Sequence, residues 1–304
     1  MSNNSSTTLR ATLIGGVAIL LWALLALFTT WAKGIPTFQL LMLSFSIAFI
    51  SGFLVLVSKG KKSLSTLKQP PLVWLLSVGG LFGYHLFYFI ALHNAPAVEA
   101  SLIAYLWPLL IVFFSALLPG ERLYWFHIAG TLLGLAGAVI IVTKGQSFSL
   151  NTEHTLGYLA AIACALTWSG YSVLNRKFSH VPSEAVTGFC GATALLGLAC
   201  HLITENWVTP DLTQWTAIVA LGLGPVGLAF FVWDYGTKHG DIQVLGALSY
   251  GAPLLSTLVL IATGLAEASW IIAIACLLIV GGALLASIKI LRSNKSSKMT
   301  HQAT

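Results

Sequence analysis

The sequence predicts an all-α integral membrane protein: ten transmembrane helices arranged as two inverted five-helix repeats, with N- and C-termini cytoplasmic. Composition is the first observation. Of the 304 residues, 57% are hydrophobic and only 8% charged, with a mean hydropathy of +0.88, whereas a soluble domain carries about 25% charge. Second, apolar runs long enough to cross a bilayer recur from end to end, joined by connections too short to fold alone. Third, one segment occurs twice inside such runs, as Tyr105-Leu106-Trp107-Pro108-Leu109-Leu110 and as Tyr250-Gly251-Ala252-Pro253-Leu254-Leu255.

In chain order, hydropathy places spans at Ala11–Trp31, Thr37–Ser58, Leu72–Leu92, Ala97–Leu118, Trp125–Thr143, Gly157–Arg176, Glu184–Leu202, Thr213–Trp233, Asp241–Ala262 and Ala268–Ile288. The first run exceeds the roughly 7–15 residues of a signal-peptide core and lacks a small-residue cleavage site, so it is expected to be retained. With the N-terminus inside, thirteen of the fifteen Lys and Arg residues fall on the cytoplasmic side, and only Lys33 and Lys144 fall outside. This topology accounts for the net charge of +6 without nucleic acid as a partner.

A shift of 145 sets Tyr105 on Tyr250, Pro108 on Pro253, Trp125 on Trp270 and Gly137 on Gly282, and Trp22 pairs with Trp168 at a shift of 146. Five spans is an odd number, so the second copy must enter the membrane from the opposite side, related to the first by a pseudo-two-fold axis in the membrane plane. The repeats are expected at residues 10–145 and 155–292, followed by a short basic cytoplasmic tail at 293–304. Gly130, Gly134, Gly137 and Ala138 in the fifth span, and Gly281, Gly282 and Ala286 in the tenth, are small enough for close helix packing.

Several chemistries are absent. Cys164, Cys190, Cys200 and Cys276 lie inside apolar runs, with neither metal-ligand spacing nor the loops of a disulfide framework. No phosphate-binding G-x-x-x-x-G-K-[ST] occurs, which excludes ATP drive from this chain. An intramembrane enzyme would need paired acids, a nucleophile with its base, or a histidine-rich metal cluster at membrane depth. His85 is the one midplane histidine and no acid accompanies it, so no enzyme, cofactor or metal is expected.

Tryptophan in membrane proteins favours the two interfaces, and Trp31, Trp74, Trp125, Trp207, Trp215, Trp233 and Trp270 lie near expected span ends. Trp22, Trp107 and Trp168 instead lie about ten residues, roughly 15 Å, into their spans. Tyr84, His85, Tyr88, Tyr105, Tyr171 and Tyr250 share that depth. A phenol or imidazole in hydrocarbon must find a partner, so these groups are expected to face one another or a wet central cavity. Such a wall suits an amphipathic small molecule, held by stacking and cation–π contact. Pro108 removes a helical N–H and frees the carbonyl of Ala104, and Pro253 does the same in the second copy. With Gly251, these prolines are the expected hinges. Among the nine acids, Glu99 is the one well inside a span, about a turn from its external end, while Asp234 and Asp241 are expected as solvated loop charges beside Lys238 and His239. Coupling through Glu99 or His85 and simple facilitation both remain open.

These features resemble the drug/metabolite transporter superfamily, EamA type, over about Thr12 to Ile288. Within it, Tyr105-Leu106-Trp107-Pro108, the approach Asn94-Ala95-Pro96-Ala97-Val98-Glu99-Ala100, and Ala247-Leu248-Ser249-Tyr250 are similar to the YddG-type aromatic amino-acid exporters. The resemblance implies export of amino acids, aromatic ones in particular, across the bacterial inner membrane by alternating access, and the complete ten-span repeat suggests that one chain suffices. It also implies a central cavity lined by Trp22, Tyr84, His85, Tyr88, Tyr105, Trp107, Trp168 and Tyr250. The alternative with the same fold is a broad-specificity drug or metabolite exporter.

Overall fold

A computed structural model of the chain describes residues 2–147 and 150–288; positions 289–292, closing the second expected repeat, and the tail 293–304 lie outside the described residues. Among the described residues, nine helices are long and apolar enough to cross a membrane. They are α1 (Thr7–Trp31), α2 (Thr37–Ser58), α3 (Pro71–Asn94), α4 (Ala97–Ser115), α5 (Trp125–Thr143), α6 (Thr152–Phe178), α7 (Ser183–Thr204), α8 (Leu212–His239) and α9 (Ile242–Ala262). A shorter apolar helix, α10 (Trp270–Ala286), spans 17 residues. The chain is a multi-pass membrane protein. Exposed Leu117, Ile203 and Leu277 present large apolar surfaces that hydrocarbon, not water, would cover.

Four of these helices are interrupted. α4 is divided into Ala97–Ala104 and Trp107–Ser115, and α9 into Ile242–Leu248 and Gly251–Ala262. Both gaps fall just ahead of a proline, Pro108 or Pro253, whose ring crowds the carbonyl four residues back and whose nitrogen has no hydrogen to give. The expected bends are thus two-residue turns, at Tyr105–Leu106 and Ser249–Tyr250. α1 pauses after Trp22, and α8 widens into a π-helical turn over Gly224–Leu228, where Pro225 breaks the α-helical bonding.

The helices pack across the two halves of the chain. α5 lies on α10, α3 on α6, α2 on α7 and the last half of α8 on α1, while α4 also lies on α6 and α9 on α1. Small residues make this possible. A Cβ on Gly15 would stand 2.9 Å from the Cα of Gly236 between α1 and α8, and one on Gly130 would fall onto the Gly282 carbonyl between α5 and α10. At the end of the bundle carrying the α1–α2 connection, Glu205 accepts hydrogen bonds from the backbone N–H groups of Phe38 (2.9 Å) and Gln39 (3.0 Å) at the start of α2. A carboxylate there complements the positive end of the helix dipole. Partial burial pushes the Glu205 carboxyl up, but the bonds from Phe38, His201, Gln39 and Thr37 outweigh it and hold the group below the usual carboxylate range.

Gly130→Ala is expected to overpack the α5–α10 seam and destabilise by about 1–3 kcal/mol. Gly281→Ala, whose added methyl meets open space, is expected to melt as the parent does. Thermal unfolding of both variants in detergent checks the contrast.

Candidate functional site

Where the four interrupted helices meet α2 and α3, they enclose a cavity of about 620 Å³, within the roughly 300–1,000 Å³ of small-molecule sites. Lys33, Gly34 and Ile35 line its mouth, which lies at the α1–α2 end of the bundle. Six of the eight residues expected there line it: Trp22, Tyr84, His85, Tyr88, Tyr105 and Trp107. Tyr84 and Tyr88, one turn apart on α3, stack in parallel at 6.1 Å, and the hydroxyls of Tyr88 and Ser101 are hydrogen-bonded at 3.1 Å. His85 Nδ1 donates to the Leu81 carbonyl at 2.7 Å, so its ring stands edge-on to Phe45 at 5.4 Å with Nε2 left for other partners.

The remaining two lie elsewhere. Trp168 on α6 sits behind the lining, 5.4 Å from Tyr84 and 6.3 Å from Trp107. Tyr250 is fully buried outside the cavity, its ring against Gly134 of α5. The turn at Ser249–Tyr250 accounts for this: on α9 it is Ala252 and Ser256, one helical turn apart, that face the cavity. The closed end of the cavity is a tryptophan floor. Trp22 packs against Trp107 (6.2 Å), Trp168 (5.8 Å) and Trp233 (5.0 Å). Two indole N–H groups are satisfied within it, Trp22 to the carbonyl of Pro225 in the π-helical turn and Trp233 to the Ser172 hydroxyl, each at 3.1 Å.

Two sequence expectations are corrected here. Trp233, expected at an interface, is 0% exposed and belongs to the floor, because α8 continues to His239 rather than ending near it. Asp234, expected in a solvated loop, is buried with Lys238, their charged atoms 2.9 Å apart and both side chains 1% exposed. Asn175 (2.9 Å) and Ser183 (2.5 Å) also donate to the Asp234 carboxylate, and Lys238 Nζ donates to the Val181 carbonyl (3.0 Å). Next to this cluster, Arg176 joins Glu121 of the first half at 2.8 Å and donates to the carbonyls of Thr237 and Gly240. The sealed end is therefore aromatic on its cavity side and ionic beyond it. Glu99 keeps a buried oxygen without a hydrogen-bond partner, but it is not part of the cavity wall.

Phe45, Phe89, Ser44 and Ser101 also line the cavity and were not legible in the sequence. Phenylalanine or serine inside an apolar run carries no mark of the face it occupies. Among the described residues, the lining contains no Asp or Glu, and no cluster of His, Cys, Asp or Glu is arranged to hold a metal. What this wall offers is π surface, hydroxyl groups, one imidazole and the backbone carbonyls of broken helices, with the Lys33 ammonium at its mouth.

Similarity to known proteins follows the fold. The EamA-like transporter family matches the chain twice, over residues 9–143 and 155–288. The chain is 54% identical over 279 residues to the aromatic amino acid exporter YddG of Ancylobacter novellus, covering 91% of this chain and 97% of that protein. It is 26% identical over 300 residues to the aromatic amino acid exporter YddG of Escherichia coli, covering 92% and 97% respectively. A protein of known crystal structure shares 53% identity with a TM-score of 0.89, over 93% of this chain and 98% of that one.

Removing one partner of a buried ion pair strands the other, so Lys238→Met is expected to cost about 3–5 kcal/mol. Lys59→Met breaks a pair with Glu184 that is largely exposed, 3.3 Å long, and should cost at most about 1 kcal/mol. Melting of the two variants side by side decides whether the Asp234 cluster holds the closed end together.

Proposed function

The chain belongs to the EamA-like transporter family, and from that premise we propose that it exports amino acids, aromatic and other hydrophobic ones foremost, from the bacterial cytoplasm by alternating access. The observation that carries this is the acid-free cavity of about 620 Å³, walled by Trp22, Tyr84, Tyr88, Tyr105 and Trp107 and reaching the α1–α2 connection at Lys33. An aromatic side chain stacks on these rings. The amino-acid head group meets the Tyr88–Ser101 hydroxyls, His85 and the Ala104 carbonyl that Pro108 excludes from helical bonding.

Ten spans, with α10 as the last, form two inverted five-helix repeats, with N- and C-termini cytoplasmic. The packing supports this organisation: exchanging each helix for the one five places on maps α1–α8 onto α6–α3 and α4–α6 onto α9–α1, and leaves α2–α7 and α5–α10 in place. The Lys and Arg distribution puts the α1–α2 connection outside. The conformation described is then outward-open, sealed from the cytoplasm by the tryptophan floor and the Asp234 cluster. The inward-open state forms when the halves rock about the turns ahead of Pro108 and Pro253, with Gly251 as the permissive residue. A single chain supplies both halves, so the protein works as a monomer in the inner membrane.

Two measurements test this reading. Proteoliposomes loaded with labelled phenylalanine should release it faster than empty-protein controls, and Trp107→Ala should raise KM roughly tenfold while surface Trp125→Ala leaves it unchanged. Release no faster than controls would sink the amino-acid reading, and resistance of expressing cells to cationic dyes instead would favour the broad drug exporter. Cysteines placed at Lys33 and Lys62 test the orientation: a membrane-impermeant thiol reagent should label the first in intact cells and the second only after lysis.

A further inference from the structure

A second space of about 640 Å³ lies on the flank of the bundle between α2, the start of α7 and the last part of α8, away from the solute cavity. It is a groove rather than a chamber. Along α8 it runs from His239 at the sealed end to Leu223, 16 residues and therefore roughly 24 Å, more than the ~15 Å thickness of one hydrocarbon leaflet. Its chemistry is graded along that length. Lys59 and Glu184 face each other at the sealed end, while Val55, Leu56, Leu228 and Leu223 line the deeper part. Leu223 and Leu228 are each 50% exposed in mid-span, so the groove opens sideways to the bilayer.

We propose that this groove holds one phospholipid with a zwitterionic, primary-ammonium head group, of phosphatidylethanolamine type, from the leaflet at the sealed end. The Lys59–Glu184 pair carries the argument. At 3.3 Å, with side chains 53% and 42% exposed, the pair is loose and accessible, and its charges sum to zero. Lys59 takes the phosphate and Glu184 the ammonium, a match that an anionic head group lacks. Three residues further along α7, about 4.5 Å deeper, Thr187 lines the groove with a buried hydroxyl that has no hydrogen-bond partner. That is the depth of a phospholipid's glycerol esters, and it is where Thr187 packs against Gly52 of α2. One acyl chain then follows the apolar wall past Phe231 to Leu223, where the π-helical turn of α8 begins. A free amino acid is too short to fill this length and would leave the apolar half empty.

Native mass spectrometry of the purified full-length protein, offered equimolar phosphatidylethanolamine and phosphatidylglycerol of identical chains, tests this. One retained phosphatidylethanolamine per chain is expected. The Lys59→Met/Glu184→Gln variant should lower its occupancy by roughly fivefold per lost charge, and Leu228→Trp, which fills the groove from its exposed side, should remove it. All three substituted positions are surface-accessible, and unchanged melting confirms that the variants fold. Equal retention of phosphatidylglycerol, no retained lipid, or occupancy unchanged in both variants would overturn the proposal.

Discussion

Hydrocarbon offers no hydrogen-bond partner to a backbone carbonyl or N–H, and the arrangement of this protein depends on that constraint. A helix may break inside the membrane only where protein or water receives the freed groups. α1, α4, α8 and α9 all break, and they do so around one cavity rather than at scattered points. The bond from the Trp22 indole to the Pro225 carbonyl shows how the breaks support each other. It joins the interruption in α1 to the π-helical turn in α8, and it also fixes the ring that floors the cavity. A lipid-facing break would have no such partner.

Because lipid gives little hydrophobic reason for helices to associate, close packing has to hold the halves together. The sequence meets this with glycine where helices cross, at Gly15 against Gly236 and Gly130 against Gly282. Larger side chains then enter the spaces the glycines leave: Tyr171 of α6 lies against Gly80 of α3, and Tyr250 against Gly134. The second contact explains why Tyr250 is structural in this conformation although it occupies the place in its repeat that Tyr105 occupies in the first. Equivalent residues in the two halves need not meet equivalent surroundings, because only Tyr105 is on the open side.

The class of protein, nine of the expected spans and the Trp, Tyr and His residues of the cavity wall were legible in the sequence because their signals are local. Span length, the depth of Trp22 or Tyr84 within a run, and proline inside an apolar stretch can each be read without knowing the neighbours. What was not legible depends on partners far away in the chain. Asp234 looks solvated beside Lys238 and His239, and only Asn175 and Ser183, brought from α6 and α7, make its burial tolerable. Trp233 looks interfacial until α8 is seen to run to His239. The π-helical turn had a mark in Gly224-Pro225-Val226-Gly227, but a proline there equally suits a simple kink.

The acid-free lining has an electrical consequence. Each elementary charge moved through a membrane potential exchanges about 2.3 kcal/mol per 100 mV with the field. A zwitterionic amino acid is neutral overall, and Lys33, the cavity's lysine, stands in the α1–α2 connection at the mouth rather than within a span. When such a solute crosses between these walls with no ion alongside, the cell's voltage does no net work on it. Its direction is then set by the concentrations on the two sides, and the transporter acts as a relief valve for accumulated solute even in a depolarised cell.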